Sequence, residues 1–355
     1  MKKTLLLLLI SCATTMLLAQ DKNTAEKYVN EGIILHDKGD YEAAIAKYDQ
    51  ALEFDKNNLV ALSEKALTCF SLQKYDESIR CCKKVIELYP ENKNIVSVYV
   101  TYGNVLDATE KTDISIEIYN EGIKLFPDNY QLYFNKGVTL SGMKEYDEAI
   151  KAFQKAISIN PKHASSHNAI ARILNVKKKR IPSLLAFCRF MVLEPGSSRG
   201  IDNLESIKKL INSSAQKTGN NSITISITPD MLSDTSANGK PKENSFTSTD
   251  LILAIEAGLD FDKSNKKKTE VQLFISKIEL VCSSLKETKK DNYGFYWDYY
   301  VPYFLEMKEQ DMIETFGYIA FSSSNDKKVK KWIKSHQDEI AKFFAWSKAY
   351  TWKAE

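Results

Sequence analysis

The sequence predicts a mainly α-helical protein: an α-solenoid of five stacked helix–turn–helix units, followed by a second, mostly helical domain. Three observations carry this expectation. A short sequence pattern returns at a fixed spacing. Small and large residues alternate at fixed places within that spacing. Beyond residue 249, apolar residues recur at helical intervals.

The returning pattern is Gly39-Asp40-Tyr41-Glu42-Ala43-Ala44-Ile45, then Gln73-Lys74-Tyr75-Asp76-Glu77-Ser78-Ile79, then Lys144-Glu145-Tyr146-Asp147-Glu148-Ala149-Ile150. The first two start 34 residues apart, and the third follows after two such periods plus three residues. Units of this length run over 25–58, 59–92, 96–129, 130–163 and 164–197. The first helix of each unit needs a small residue where the second helix crosses it, and Gly32, Ala66, Gly103, Gly137 and Ala171 stand there. Leu35, Cys69, Leu106, Leu140 and Leu174 follow as core positions. The second helix offers Ala44, Ser78, Ser115, Ala149 and Ser183 for the return crossing, and then a large residue or its substitute: Tyr48, Cys82, Tyr119, Phe153 and Phe187. Pro90, Pro127, Pro161 and Pro195 stop four of the five second helices. The fifth unit departs most. Phe190 takes a small slot and Lys177-Lys178-Lys179-Arg180 replaces the usual turn, so the pattern does not fix the packing angle there.

Period, small–large alternation and closing prolines together resemble the tetratricopeptide repeat family over roughly residues 25–197. The amphipathic segment Gly200–Ile211 suits a terminal cap, which extends the repeat region to 25–212. The resemblance implies a protein-binding groove lined by the first helices. Its positions here are Val29, Ile33, Leu67, Phe70, Val100, Asn104, Phe134, Asn135, Val138, Asn168 and Arg172, each of which can equally be inter-repeat core. Family members that grip a chaperone's C-terminal carboxylate use a Lys-rich groove with paired Asn; Val29 and Ile33 stand at the first-repeat positions here, so that clamp is absent.

Residues 213–249 read as a linker. Ile223, Ile225 and Ile227 alternate with Ser and Thr as one short extended segment without an evident partner strand, and Asp230–Thr249 reads as loop. Residues 250–355 read as an aromatic-rich helical domain of unknown function. One helix starts at Leu251 behind Ser248-Thr249-Asp250, and another carries Val271, Phe274, Ile278, Val281 and Leu285 on one face. A third carries Tyr296, Tyr299, Tyr300, Tyr303 and Phe304, with Pro302 starting or kinking it. A single last helix is expected to hold Val329, Trp332, Ile333, Ile340, Phe343 and Trp346. The aromatic run Tyr293–Phe304 fills a helical core or offers a platform for sugar rings.

The chain begins Met1-Lys2-Lys3, continues with the apolar run Leu5–Ile10 and reaches Ala19-Gln20, the layout of a cleaved signal peptide over 1–19. The protein is therefore expected to be exported, periplasmic or secreted. The alternative is a lipoprotein anchored through Cys12, the one way in which a membrane would enter. Export permits disulfides, and Cys69 and Cys82 fall on facing helices. Free core thiols are the expectation, because no spacing suggests a bridge or a zinc site.

The formal charge of +3 includes Lys2 and Lys3, and only five residues are Arg, which argues against a nucleic-acid binder. No zinc-protease, nucleophile-elbow, phosphate-loop or dinucleotide motif occurs, so no catalytic residue, metal or cofactor is expected. His163 and His167, four apart, lack a third ligand and read as surface and packing histidines. His336-Gln337-Asp338-Glu339 reads as a solvated helix face. The functional expectation is a protein–protein interaction scaffold or adaptor of the bacterial cell envelope, not an enzyme. The alternative is an enzyme or glycan-binding protein with its site in the aromatic-rich domain.

Overall fold

A computed structural model describes residues 21–218, 222–228, 231–232, 242–261, 265–289 and 292–352. The expected signal peptide and Cys12 lie outside the described residues. The chain divides into two compact units, Met1–Ala149 and Ile150–Glu355. No helix among the described residues is long and apolar enough to cross a membrane.

The first unit is helical throughout: α1 (21–37), α2 (Tyr41–Phe54), α3 (Leu59–Ser71), α4 (Tyr75–Leu88), α5 (Val96–Ala108), α6 (Thr112–Leu125), α7 (Tyr130–Gly142) and the start of α8 (Tyr146–Ile159). The turn inside each repeat has one geometry, with a single left-handed residue: Gly39 (φ 82), Gln73 (φ 59), Glu110 (φ 59) and Lys144 (φ 64). The next amide closes the preceding helix by donating back to its last turn, from Asp40 to Leu35 O, Lys74 to Cys69 O, Lys111 to Leu106 O and Glu145 to Leu140 O, at 2.8–3.0 Å. Only the first repeat uses glycine at the left-handed position.

The crossing of paired helices is equally regular. A methyl group on Gly32 would lie 2.5 Å from the Tyr48 ring, and one on Gly103 would lie 2.3 Å from the Tyr119 ring. The small residues are thus the floor on which the rings rest. Where the return slot is serine, its hydroxyl donates to the facing carbonyl, Ser78 to Ala66 at 2.7 Å and Ser115 to Gly103 at 2.8 Å. Tyr99, Tyr102, Val98, Leu106, Cys82 and Val85 then form a continuous core with their neighbours. The first helices stand side by side, α3 against α5 and α5 against α7.

The second unit holds the rest of α8, α9 (Ala164–Val176), α10 (Arg180–Leu193), α11 (Ser198–Asn212), β1 (Ala215–Lys217), β2 (Ile223–Ile225), α12 (Thr247–Leu259), α13 (Glu270–Thr288), α14 (Phe295–Glu309), α15 (Ile313–Ala320), α16 (Lys327–Ser335) and α17 (Gln337–Ala349). The lysine-rich segment makes the same turn as the other repeats, with Lys178 left-handed (φ 56) and the Lys179 amide on Leu174 O at 2.8 Å. The unusual residues leave the turn geometry unchanged, because one left-handed residue and a returning amide are all this turn requires. Helix α10 is buried on all sides, from Arg180 to Val192. It packs on α9, α11, α12, α14 and α15, so helices after residue 249 share a core with repeat-type helices. That explains Phe190, fully buried in a slot that elsewhere stays small.

Arg180 ties this unit together. Its guanidinium donates to Leu210 O (2.7 Å) and Ile211 O (3.3 Å) at the end of α11, to Ser214 Oγ (2.7 Å) and to Asp250 (3.0 Å) in the first turn of α12. The extended Ile segment does find a partner: β2 pairs antiparallel with β1, Ala215 opposite Ile225. A signal was missing because β1 reads Ala-Gln-Lys, with no β-branched residue. Pro302 lies inside α14 and does not start it. The expected last helix is two, α16 and α17, which meet at His336. There Trp332 is stacked between Tyr318 (4.0 Å) and His336 (4.1 Å).

The dense aromatic run is core. Tyr296, Trp297, Tyr299, Tyr300, Tyr303 and Phe304 are all buried, which removes the sugar platform they were expected to offer as one alternative. Three of the polar tips have their destinations where α14 meets neighbours. Trp297 donates to Ser245 O (2.7 Å), Tyr299 to Ile157 O (3.1 Å), and Tyr303 shares its hydroxyl with Ser347 (2.7 Å) and Arg189 (3.1 Å). Cys69, Cys81, Cys82, Cys188 and Cys282 are free and buried, and burial raises each thiol above its ordinary pKa.

His167 is fully buried and is the packing histidine of the pair. Its Nε2 lies 3.0 Å from Pro161 O, which can only accept, so that nitrogen carries the proton and Nδ1 accepts from the Tyr300 hydroxyl at 2.7 Å. Burial, with the nearby Arg189 charge, holds its pKa down to about 3. The unfolded chain therefore takes up a proton near pH 6.5 that the folded chain refuses until about pH 3. The stabilisation is complete above pH 6.5 and is lost as pH falls towards 3, with a slope approaching about 1.4 kcal/mol per pH unit. Urea unfolding of the second unit between pH 7 and 4 should show this slope, and His167→Gln should flatten it. Equal slopes in both proteins would contradict the assignment.

Candidate functional site

The site suggested by the sequence is the face of the first helices. In the first unit it starts from Ile33 on α1 and continues through Leu67 and Phe70 on α3, Val100 and Asn104 on α5, and Phe134, Asn135 and Val138 on α7. Leu67 (37 %) and Val138 (44 %) are exposed, and Ile33, Phe70, Val100, Asn104, Phe134 and Asn135 are half-buried. Val29 is core, packed with Ala25, Ala51 and Ala61. In the second unit Asn168 is buried and Arg172 is exposed, its Nε donating to Asn168 Oδ1 at 3.1 Å.

Two junctions on this face are built alike and finished differently. Where the third and fourth repeats meet, the Tyr119 hydroxyl donates to Asn104 Oδ1 at 2.7 Å, beside Thr139 on α7. Asn135 lies one turn before Thr139 and donates to Gln131 O at 2.8 Å. The equivalent residues where the first and second repeats meet, each 71 positions earlier, are Ile33, Tyr48, Glu64 and Thr68. The isoleucine cannot accept, so the Tyr48 hydroxyl is buried without a hydrogen-bond partner. The amide of Asn135 becomes the carboxyl of Glu64.

The first junction is also charged. Thr68 donates its one hydroxyl proton to Glu64 O (2.8 Å), so His36 must donate from Nδ1 to Thr68 Oγ1 (2.7 Å). Burial raises the Glu64 pKa; His36 opposes that and Asp37 adds to it. Burial pushes the Tyr48 hydroxyl up to about 12, with the Glu64 charge adding to the shift. His36, Asp37, Tyr48 and Glu64 were not among the residues proposed from sequence. The signal that would have found Glu64 is its place at the position of Asn135.

Behind this face, Lys65 is held by Asp49 (2.5 Å) and Glu77 (2.5 Å), and Lys136 by Asn120 (2.7 Å). These lysines are spoken for and do not make the face basic. No group of three or more His, Cys, Asp or Glu among the described residues could hold a metal ion.

The profile described as Tetratricopeptide repeat matches residues 60–92 and 130–163, and that described as TPR repeat matches 32–68. The chain carries tetratricopeptide repeats. The protein is 30% identical to Protein STIP1 homolog of Dictyostelium discoideum, over 35% of this chain and 28% of that one. It is 29% identical to Hsp70-Hsp90 organizing protein of Triticum aestivum, over 39% of this chain and 30% of that one. It thus spans less than a third of the length of these relatives. Among solved structures, YrrB, described as a TPR protein with an unusual peptide-binding site, superposes with a TM-score of 0.41 at 21% identity, covering 55% of this chain and 97% of that one. PilF of Pseudomonas aeruginosa gives 0.44 at 17% identity, covering 54% and 90%.

The two tyrosines give a direct check of the junction chemistry. Tyr119→Phe removes a made hydrogen bond and strands Asn104, and should cost about 1 kcal/mol. Tyr48→Phe removes an unpartnered hydroxyl and should leave stability unchanged or slightly raised. Urea unfolding of both variants reads the difference; equal losses would contradict it.

Proposed function

We propose that the protein is an interaction adaptor that holds an extended polypeptide against the first-helix face of its tetratricopeptide repeats. The observation that carries this reading is the row of accessible apolar side chains, Leu67, Phe70, Phe134 and Val138, alternating with the amides Asn104 and Asn135 on helices locked side by side. Apolar side chains give such a surface affinity, and amides can pair with a partner's backbone without demanding one sequence. The likeness in part to adaptor relatives supports the same class. With Ile33 on the first helix and Lys65 and Lys136 engaged elsewhere, the face suits an internal or basic segment better than a free carboxylate.

Export is part of the proposal. The positive start at Lys2-Lys3, the apolar run to Ile10 and the Ala19-Gln20 step support a cleaved signal, and a place of work in the bacterial envelope.

Cross-linked envelope extract should yield specific partners with the mature protein and lose them with Phe70→Ala/Phe134→Ala, whose circular dichroism should match the parent. An identical set of captured proteins would show that this face is not the working surface.

A further inference from the structure

The hairpin of the second unit has an edge that no described residue occupies. Ser226 donates its amide to Ser214 O (2.7 Å) and Thr218 donates to Ser222 O (3.0 Å), so Ser222, Thr224 and Ser226 turn their main chain towards β1. Alternation then turns the N–H and C=O groups of Ile223, Ile225 and Ile227 to the opposite edge, where no main-chain group among the described residues meets them. Free edges usually carry a charge or a proline that discourages pairing. The β1 edge has Lys217, but the run Ser222-Ile223-Thr224-Ile225-Ser226-Ile227-Thr228 has neither. Its apolar side chains are also left uncovered. Ile225 rests on Gly258 of α12, whereas Ile223 (42 %) and Ile227 (47 %), on the same face of the strand, are exposed. So are Ile255 and Leu259, each within one turn of Gly258.

We propose that β2 pairs edge to edge with β2 of a second copy of this chain, antiparallel, about a two-fold axis at Ile225. The run is a palindrome in kind about that residue: Ile223 mirrors Ile227, Thr224 mirrors Ser226 and Ser222 mirrors Thr228. Ile225 meets the partner's Ile225, and Ile223 meets the partner's Ile227. Each pair exchanges both main-chain bonds, because each member has its N–H and C=O on the free edge. A shift of one residue would set free groups in one copy against groups already bonded to β1 in the other. The register therefore keeps every isoleucine on one face, where cross-strand neighbours cover Ile223 and Ile227, and sets hydroxyl beside hydroxyl on the other. The mirror symmetry is what selects a second copy, since an unlike strand needs no palindrome. The pairing closes on itself, because its outer edges are then the two β1 strands with Lys217. The interface is small, so the dimer is weak and depends on concentration. It is independent of the first-helix face.

Sedimentation equilibrium of the mature protein should show monomer at about 1 µM and mostly dimer by about 500 µM. Positions 224 and 226 are exposed on the hydroxyl face, and this register sets 224 of one copy directly opposite 226 of the other. Thr224→Lys/Ser226→Lys places like charges there and should weaken the dimer at least about tenfold. Thr224→Lys/Ser226→Glu places opposite charges there and should return it to within about threefold of the parent. Circular dichroism of both variants should match the parent, because neither side chain is in the core. Amide exchange reads the same edge without substitution: Ile223, Ile225 and Ile227 should exchange more slowly at about 500 µM than at about 1 µM. A parent that stays monomeric up to about 500 µM, or equal exchange rates at both concentrations, would overturn the inference. So would a dimer that survives the double-lysine change, one that is lost with the lysine–glutamate pair, or one that grows into larger assemblies.

Discussion

The close approach of Gly32 to Tyr48 and of Gly103 to Tyr119 is the constraint on which the rest of the repeat architecture depends. A helix pair can cross this tightly only where one partner has no side chain and the other brings a flat ring. The approach sets the pairing of helices within a repeat and carries the ring's hydroxyl through to the first-helix face. The same packing that builds the core thus holds a polar atom buried beneath the first-helix face. Asn104 satisfies that atom in one repeat and Ile33 leaves it open in another. One substitution on a common frame removes the acceptor that the hydroxyl has at the sister junction.

The second unit solves a different problem. A solenoid end exposes apolar surface and needs a cover. Here α10 is buried all round, and α11, α12, α14 and α15 pack against it. Arg180 and Arg189 supply the polar order inside this cover. Arg180 pairs with Asp250, whereas Arg189 is placed among Tyr303, Ser347 and the ring of Trp352, a cation held by hydroxyls and aromatic faces. His167 stays neutral beside it because burial and that positive charge both oppose a second one.

Much of the fold was legible because the tetratricopeptide pattern is written in residues that pack the same way in every copy. Small crossing residues, rings and closing prolines placed the helices of the repeats. The turn at Lys178 was not legible, since a left-handed lysine leaves no mark in composition; only Gly39 does so. Phe190 looked like a defect because the pattern assumes a solvated outer side, and α10 has none. The strand Ala215–Lys217 was silent for lack of β-branched residues, and the break at His336 was silent for lack of proline or glycine. At the candidate site, sequence reasoning reached the apolar row but not the charged junction. A hydroxyl without a partner is a property of three-dimensional neighbours, visible only when Tyr48 and Tyr119 are set side by side.

The most direct test of this account is the stability of Gly103→Ala. The added methyl would lie 2.3 Å from a buried Tyr119 ring held by its own hydrogen bond to Asn104. Urea unfolding should show a loss of at least about 2 kcal/mol, with the first unit melting ahead of the parent. A variant within about 0.5 kcal/mol of the parent would show that the crossing tolerates a side chain, and that the small–large contact does not set the stack.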